Sequence, residues 1–286
     1  MSRTILLRVQ PSPPRHAPDP AAWRPGRLWS APHRLAFAAG TLLLMLVAAW
    51  WAATLLARQA GVALPAGLPT PTLHALLMGF GFIPLFFTGF LFTAGPRWLG
   101  VDGPDARALR GPVLAQACGA AVLGLAGLAH DPLLARLLAA LGLAAMSAGW
   151  GRCVLRFGRL LLLSTAPDKL HASVVAVAGA LGAALMALAA GQVAAGDLAG
   201  VHQTVRVGLW AFVGVVYAAV AHRMIPFFSA SAVPELEAWR PEWLLAGFVL
   251  VLGFEGFVLW APVPLALQAA VEAAAGLGWA ALALRW

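Results

Sequence analysis

Histidines at the ends of long apolar stretches are the residues of this chain best suited to chemistry. His74 opens the segment HALLMGFGFIPLFFTGFLFTAGPRWLG, and His222 lies beside Arg223 in AHRMIPFFS. Neutral imidazole is a common nitrogen ligand of copper and of haem iron. A polar side chain inside a membrane is costly unless it faces protein, water or a ligand. These histidines are therefore candidate ligands, and the alternative is that they anchor helix ends at the membrane interface.

Six histidines fall into two layers when the apolar stretches are drawn as helices that cross a membrane. The layer expected near the outer face consists of His74, His130 and His202. The layer expected near the inner face consists of His33, His171 and His222. About 30 Å of helix separates His202 from His222, so these two cannot hold one metal ion. Two imidazole layers, one at each face, suit a bundle that holds b-type haem or copper.

The helical repeat places a sulfur atom near His74. Met78 follows His74 by one turn and Gly81 comes next on the same face, so an imidazole, a thioether and bare backbone lie together. Copper(I) prefers soft ligands such as this thioether. Methionine also fills gaps in cores, and glycine also lets helices approach closely. The sequence leaves open both a metal site at His74 and Met78 and ordinary helix packing.

Arg223 allows two interpretations as well. Its guanidinium could pair with an acidic group of a ligand, such as a haem propionate. It could equally extend to the membrane surface as a positively charged anchor.

Membrane-spanning helices must position these residues. The chain is 61% hydrophobic and 10% charged, with a mean hydropathy of +0.83, far from the composition of soluble domains. A bilayer core about 30 Å thick requires about 20 apolar residues of helix. The sequence predicts an all-α, polytopic bundle of about eight transmembrane spans, at 35–57, 73–94, 112–129, 133–151, 171–194, 206–225, 243–260 and 264–284.

The positive charges predict the orientation. Sixteen of the 19 Lys and Arg residues fall on the side of the N-terminus, and only Arg58, Arg136 and Arg206 fall on the other side. Positive residues in short loops are retained in the cytoplasm, so both termini are expected there. The net charge of +8 then reflects topology, and a nucleic-acid partner is not expected. Residues 1–33, rich in Pro and Arg, are predicted to be a disordered cytoplasmic leader before a single transmembrane domain, 34–286.

Two carboxylates lie within the predicted spans. Glu255 and Glu272 fall in the seventh and eighth spans, where an unpaired charge is unfavourable. We expect Glu255 to pair with Arg136 or Arg206.

Several motifs resemble one protein family. HALLMGFGF, GFLFTAGPRWLG, HRMIPFF and the APHR start of the first helix resemble, in order and spacing, the NnrS proteins. These are bacterial polytopic membrane proteins associated with nitric oxide stress and described as containing haem and copper. The resemblance runs from about residue 30 to about residue 230. Longer members carry HxHEM where this chain has Thr72-Leu73-His74-Ala75-Leu76, so only the second histidine of that motif is kept.

The resemblance implies a multi-pass protein of the bacterial inner membrane that binds haem b and/or copper and is linked to nitric oxide stress, without demonstrated enzymatic turnover. It favours His74 and His222 as ligands, followed by His171 and His202, with Arg223 in the pocket and Met78 beside His74. The expected partners are the lipid bilayer and haem or copper, with a homo-oligomer or a redox partner left open. The alternatives are a small-solute permease and a non-catalytic assembly subunit.

A reporter fused after Trp286 tests the predicted orientation. We expect a fluorescent protein to be bright at this position and alkaline phosphatase to be inactive, because the C-terminus is predicted to be cytoplasmic. The reverse result, active phosphatase and no fluorescence, would invert both histidine layers.

Overall fold

Eight long helices form the protein in a computed structural model that describes residues 24–62, 64, 67–233, 235 and 239–284. They are α1 (Pro32–Gln59), α2 (Thr70–Leu99), α3 (Ala106–Ala126), α4 (Pro132–Leu163), α5 (Leu170–Ala195), α6 (Leu198–Ala232), α7 (Glu242–Val258) and α8 (Leu265–Ala283). Seven are long and apolar enough to cross a membrane, and α7 has 17 residues. The predicted all-α membrane bundle is confirmed.

The helices alternate in direction along the chain. We call the side of the bundle where α1 begins and α8 ends the terminal face, and the other side the opposite face. Residues 1–23 of the predicted leader lie outside the described residues. Pro25–Trp29 form a short 3-10 helix, which Arg110 of α3 contacts through the ring and the carbonyl oxygen of Trp29.

Helix α4 extends well beyond the span predicted at 133–151. It continues to Leu163 and so includes Arg152, Arg156 and Arg159. Arginine is a good helix former and its long stem allows the charge to reach water, so charges at the end of a span do not end a helix. The following turn is fixed by Ser164, whose hydroxyl donates to the carbonyl of Leu99 at 2.6 Å.

Glycines join α3 and α4 into a tight antiparallel hairpin. Asp131 caps α4 by accepting from the Leu134 amide at 2.7 Å, and Pro132 occupies the first turn. A Cβ atom added to Gly119 would lie 2.6 Å from the carbonyl oxygen of Gly142, and the reverse substitution gives the same distance. Bare backbone on both sides therefore permits the close approach.

Polar side chains fasten α5 to α4. The indole of Trp150 donates to the Gly179 carbonyl at 2.8 Å, and the hydroxyl of Ser147 donates to the Ala183 carbonyl at 2.8 Å. Both bonds end on backbone carbonyls of α5. Hydrogen bonds between helices are a main source of association in membranes, where apolar contact alone favours neither protein nor lipid.

Helices α2 and α6 each contain a π-helical segment, and the two segments face one another. They span Leu77–Phe82 and Gly208–Gly214. A Cβ atom at Gly208 would lie 2.6 Å from the ring of Phe80, so the glycine makes room for that ring. π-Helical turns are rare and concentrate at functional sites.

Helix α8 lies at the edge of the bundle. None of its residues is buried, and it touches α7 where the rings of Phe248 and Trp279 stack with centroids 4.6 Å apart. These residues lie at similar distances before and after the turn near Ala261 and Pro262, so the predicted antiparallel pairing of the last two helices is confirmed.

Substituting Gly149 by Ala tests the hairpin packing. The new methyl group would lie 2.7 Å from the Pro112 carbonyl oxygen and 2.8 Å from Cγ of Gln116, so we expect overpacking to cost about 1–3 kcal/mol of stability. Gly158→Ala on the same helix is the matched control, because nothing lies within 4 Å of its added Cβ. Thermal unfolding in detergent should show a lower midpoint for the first variant only; equal midpoints would contradict the tight interface.

Candidate functional site

Two histidines meet at the terminal face. His171 lies in the first turn of α5 and His222 lies in α6, and Nε2 of His171 is 2.9 Å from Nδ1 of His222. Their rings stack with centroids 5.2 Å apart. The two residues are only 3% and 6% exposed, so the pair is shielded from its surroundings.

The hydrogen bonds of this pair determine where its protons lie when both rings are neutral. Nε2 of His222 is 3.2 Å from the carbonyl oxygen of Pro241, which can only accept, so this nitrogen carries the proton. Nδ1 of His222 then accepts from Nε2 of His171. Nδ1 of His171 is left with a bare lone pair, and it is a buried atom without a hydrogen-bond partner. A buried, unsatisfied imidazole lone pair is suited to binding a metal.

An ion-pair network surrounds the two imidazoles. Nη1 of Arg223 lies 2.9 Å from Oδ2 of Asp168, and Nη2 of Arg240 lies 3.8 Å from the same oxygen. Arg223 also lies over the ring of Trp98, 5.3 Å from its centroid. Arg223, predicted to be a partner of a ligand or a membrane anchor, is thus bound by an aspartate of the chain itself.

Asp168 connects the network to α5. Burial alone would raise the pKa of the Asp168 carboxyl, but the hydrogen bond and charge of Arg223 and the Leu170 amide hold that pKa below its ordinary value. Two arginines therefore share one carboxylate at the corner where α5, α6 and the start of α7 meet.

A groove of about 430 Å³ runs beside His222 between α6, α7 and α8. Its walls are mainly apolar and aromatic, and they include Tyr217, Trp239, Phe248 and Trp279. The groove places a hydrophobic recess next to the imidazole pair and to the arginine network.

The histidines of the opposite face are held in a different way. The ring of His74 stacks on Trp51, with centroids 4.3 Å apart and an interplanar angle of 19°, and its Nδ1 is buried without a hydrogen-bond partner. Nε2 of the exposed His202 lies 2.9 Å from the hydroxyl of Thr72. Met78 is partly buried at the edge of the core. The roles predicted for His74, His202 and Met78 stay predictions.

Sequence reasoning missed a polar cluster inside the bundle. The thiol of Cys153 lies 3.7 Å from both Oγ1 of Thr88 and Nε2 of Gln116, and all three residues are buried. One signal was present, because Gln116 is an amide within a predicted span. Trp51, Asp168 and Pro241 carry no comparable signal, since their roles depend on contacts between distant parts of the chain.

The predicted pairing of Glu255 with Arg136 or Arg206 is wrong. All three residues are described, and neither arginine forms an ion pair with Glu255; the ion pairs of the described chain are those of Asp168. The guanidinium of Arg136 instead lies against Gly196, the left-handed residue that ends α5, where a positive charge complements the helix dipole. Glu255 lies near Glu272.

No cluster of three or more His, Cys, Asp or Glu side chains suitable for a metal is present in the part of the chain that the structure describes. A metal at His171 would therefore need other ligands, from a different kind of side chain, from backbone or from outside the protein.

The fold and the paired imidazoles define a polytopic, all-helical membrane protein with its candidate sites at the helix ends. The family model of the NnrS protein matches residues 27–286. The chain belongs to the NnrS family, and the match includes α7 and α8, which carry none of the motifs behind the predicted resemblance. Neither a curated protein nor a solved structure matches the chain.

Asp168→Asn tests the network at the terminal face. The lowered pKa of Asp168 means that its carboxylate stabilises the fold fully at neutral pH, and that this contribution is lost as the pH falls through the pKa of the folded state. We expect the variant to melt below the wild type at pH 7 and the difference to shrink on acidification. A difference in thermal midpoint that is constant down to acidic pH would contradict the charge pairing.

Proposed function

We propose that this protein binds copper or b-type haem at the terminal face, with His171 as a ligand and His222 as the residue that orients it. The bare Nδ1 lone pair of His171 carries the proposal, because leaving such an atom buried without a partner costs about 1–3 kcal/mol. Membership of the NnrS family supports a bacterial inner-membrane location, and its association with nitric oxide stress supplies the physiological setting.

The chain of hydrogen bonds behind His171 resembles the support that metal-binding histidines receive in proteins. Nε2 of His171 donates to His222, and His222 donates to the Pro241 carbonyl. Such an outer shell fixes the tautomer and ring orientation of the ligand and raises its basicity. His222 thus prepares His171 without contacting the metal itself.

The spacing of the two rings is too short for any metal between the facing nitrogens, whether a single ion or the iron of a haem. A metal bound by two facing nitrogens would hold them about 4 Å apart, since each bond is about 2 Å, whereas these nitrogens are 2.9 Å apart. A copper ion at Nδ1 of His171 requires no change in this pair.

A haem would have to lie to one side of the imidazole pair, and the groove beside His222 supports this second candidate. Its aromatic walls suit a flat macrocycle, and Arg223, the residue after His222 in the chain, carries a charge that suits propionates. Either bound group would supply a one-electron redox centre. The residues of the chain would hold it, exclude lipid and water, and balance the charge of its acidic substituents.

The opposite face provides a further place for a soft metal. We propose His74 and Met78 as its ligands, because Nδ1 of His74 is also buried without a partner. Trp51 covers one face of the ring and fixes its plane.

Metal content and visible spectra of the purified full chain, from cells supplied with copper and haem, test the proposal. We expect His171→Ala to remove the metal bound at the terminal face and His222→Ala to weaken binding there about 10–100-fold, as loss of an outer-shell partner does. His130→Ala is the matched control, because His130 is exposed in the turn between α3 and α4.

Two results would contradict parts of this proposal, and a third would distinguish its two candidate groups. A colourless, metal-free wild type from replete cells would reject a bound cofactor. If His171→Ala keeps its metal content and His74→Ala loses it, the metal centre lies at the opposite face. Copper without a porphyrin spectrum, or iron with one, distinguishes the two candidate groups.

A further inference from the structure

Carboxylates lie on the outside of the bundle in α7 and α8. Glu272 is exposed on α8 and accepts a hydrogen bond from Gln268 at 2.7 Å, and Glu255 of α7 lies close enough for the two carboxylates to repel. Ionisable groups within membrane helices nearly always face protein or a water-filled cavity. The outer surface of α8 is therefore unsuited to bulk lipid.

An arginine of opposite charge is exposed on the same flank of the bundle. Arg206 of α6 has no ion pair in the described chain. It lines a groove of about 770 Å³ between α2 and α6 whose wall also includes Phe86, Trp210 and Tyr217. These three side chains are 48%, 41% and 68% exposed, so the groove opens outward.

The two charges lie at matching depths. Helices α6 and α8 both begin at the opposite face; Arg206 is eight residues from the start of α6 and Glu272 is seven from the start of α8. At 1.5 Å per residue, both lie about 10–12 Å along their helices. Leu252 of the groove and Glu255 are one turn apart on α7, so the acidic helix and the groove are neighbours.

We propose that two copies of this chain form a twofold dimer in which α8 of each copy occupies the α2–α6 groove of the other. Glu272 of one copy then pairs with Arg206 of the second copy, and the symmetry repeats the pair. A single interface satisfies both groups, as expected for an isologous contact.

The composition of α8 suits this position. Its sequence, LALQAAVEAAAGLGWAALA, consists mostly of Ala and Gly, which allow helices to approach closely in a membrane. An anionic phospholipid could satisfy Arg206, but it would leave the carboxylate of Glu272 facing hydrocarbon, whereas the dimer pairs Arg206 with Glu272. The second copy is the occupant that compensates both charges.

Single-molecule photobleaching of the full chain, tagged at its N-terminus and diluted in liposomes, tests the dimer. We expect Arg206→Glu and Glu272→Arg each to weaken dimerisation at least about tenfold, or ~1.4 kcal/mol, because each places like charges together. The double variant R206E/E272R should recover most of the loss. Arg58→Glu is the matched control, because Arg58 lies at the same face and bonds Thr70 of its own chain.

The outcomes separate this proposal from its alternatives. A wild type that is monomeric at every dilution, with or without phosphatidylglycerol bound at Arg206, would overturn it. So would single variants that dimerise like the wild type, or a double variant as weak as either single one. Monodisperse elution of each variant in detergent serves as the folding check, and the result does not depend on whether His171 binds metal.

Discussion

The structure depends on one constraint: a polar group inside the membrane must find its partner within the protein. The helices satisfy their own backbone. Side chains that enter the bundle follow the same requirement, since Trp150 and Ser147 of α4 both donate to carbonyls of α5, and Thr88 returns its hydroxyl to the Pro84 carbonyl of its own helix. The bonds of Trp150 and Ser147 hold α4 and α5 together because no water competes for them.

The same constraint gives meaning to the exceptions. Several buried side-chain nitrogen and oxygen atoms of the described chain have no hydrogen-bond partner, and they differ in how far their surroundings compensate for it. Arg136 carries a delocalised charge beside the end of α5, and Gln116 still makes bonds through its amide nitrogen. The Nδ1 atom of His171 differs from both. Among the described residues, the only ring bonded to His171 is that of His222, and His222 uses its other ring nitrogen on the Pro241 carbonyl. No other group in this chain of hydrogen bonds can reorient to donate to Nδ1 of His171.

The helices could be predicted from the sequence because the length and apolarity of a span are local properties. The placement of His171 and His222 in one layer follows from them, and the structure brings these rings into contact. The way the helices pack side by side is not a local property, because it depends on contacts between distant parts of the chain. The sequence could not identify Asp168 as the partner of Arg223, and it assigned Glu255 to arginines that lie elsewhere. The π-helical segments were also missed, and the close approach of Gly208 to the ring of Phe80 depends on how α2 and α6 meet, which is not a local property.

The resemblance to longer NnrS proteins predicts differences at Thr72 and Ala75, which both lie in the first turns of α2. The hydroxyl of Thr72 bonds His202, so this position joins α2 to α6 without a second imidazole. His202 and His222 are separated by about 30 Å of α6, and Thr72 and Ala75 lie near the opposite face, where α2 begins. The pair of His171 and His222 is therefore structurally independent of the loss at Thr72 and Ala75. A reduced set of ligands at the opposite face does not imply a reduced set at the terminal face.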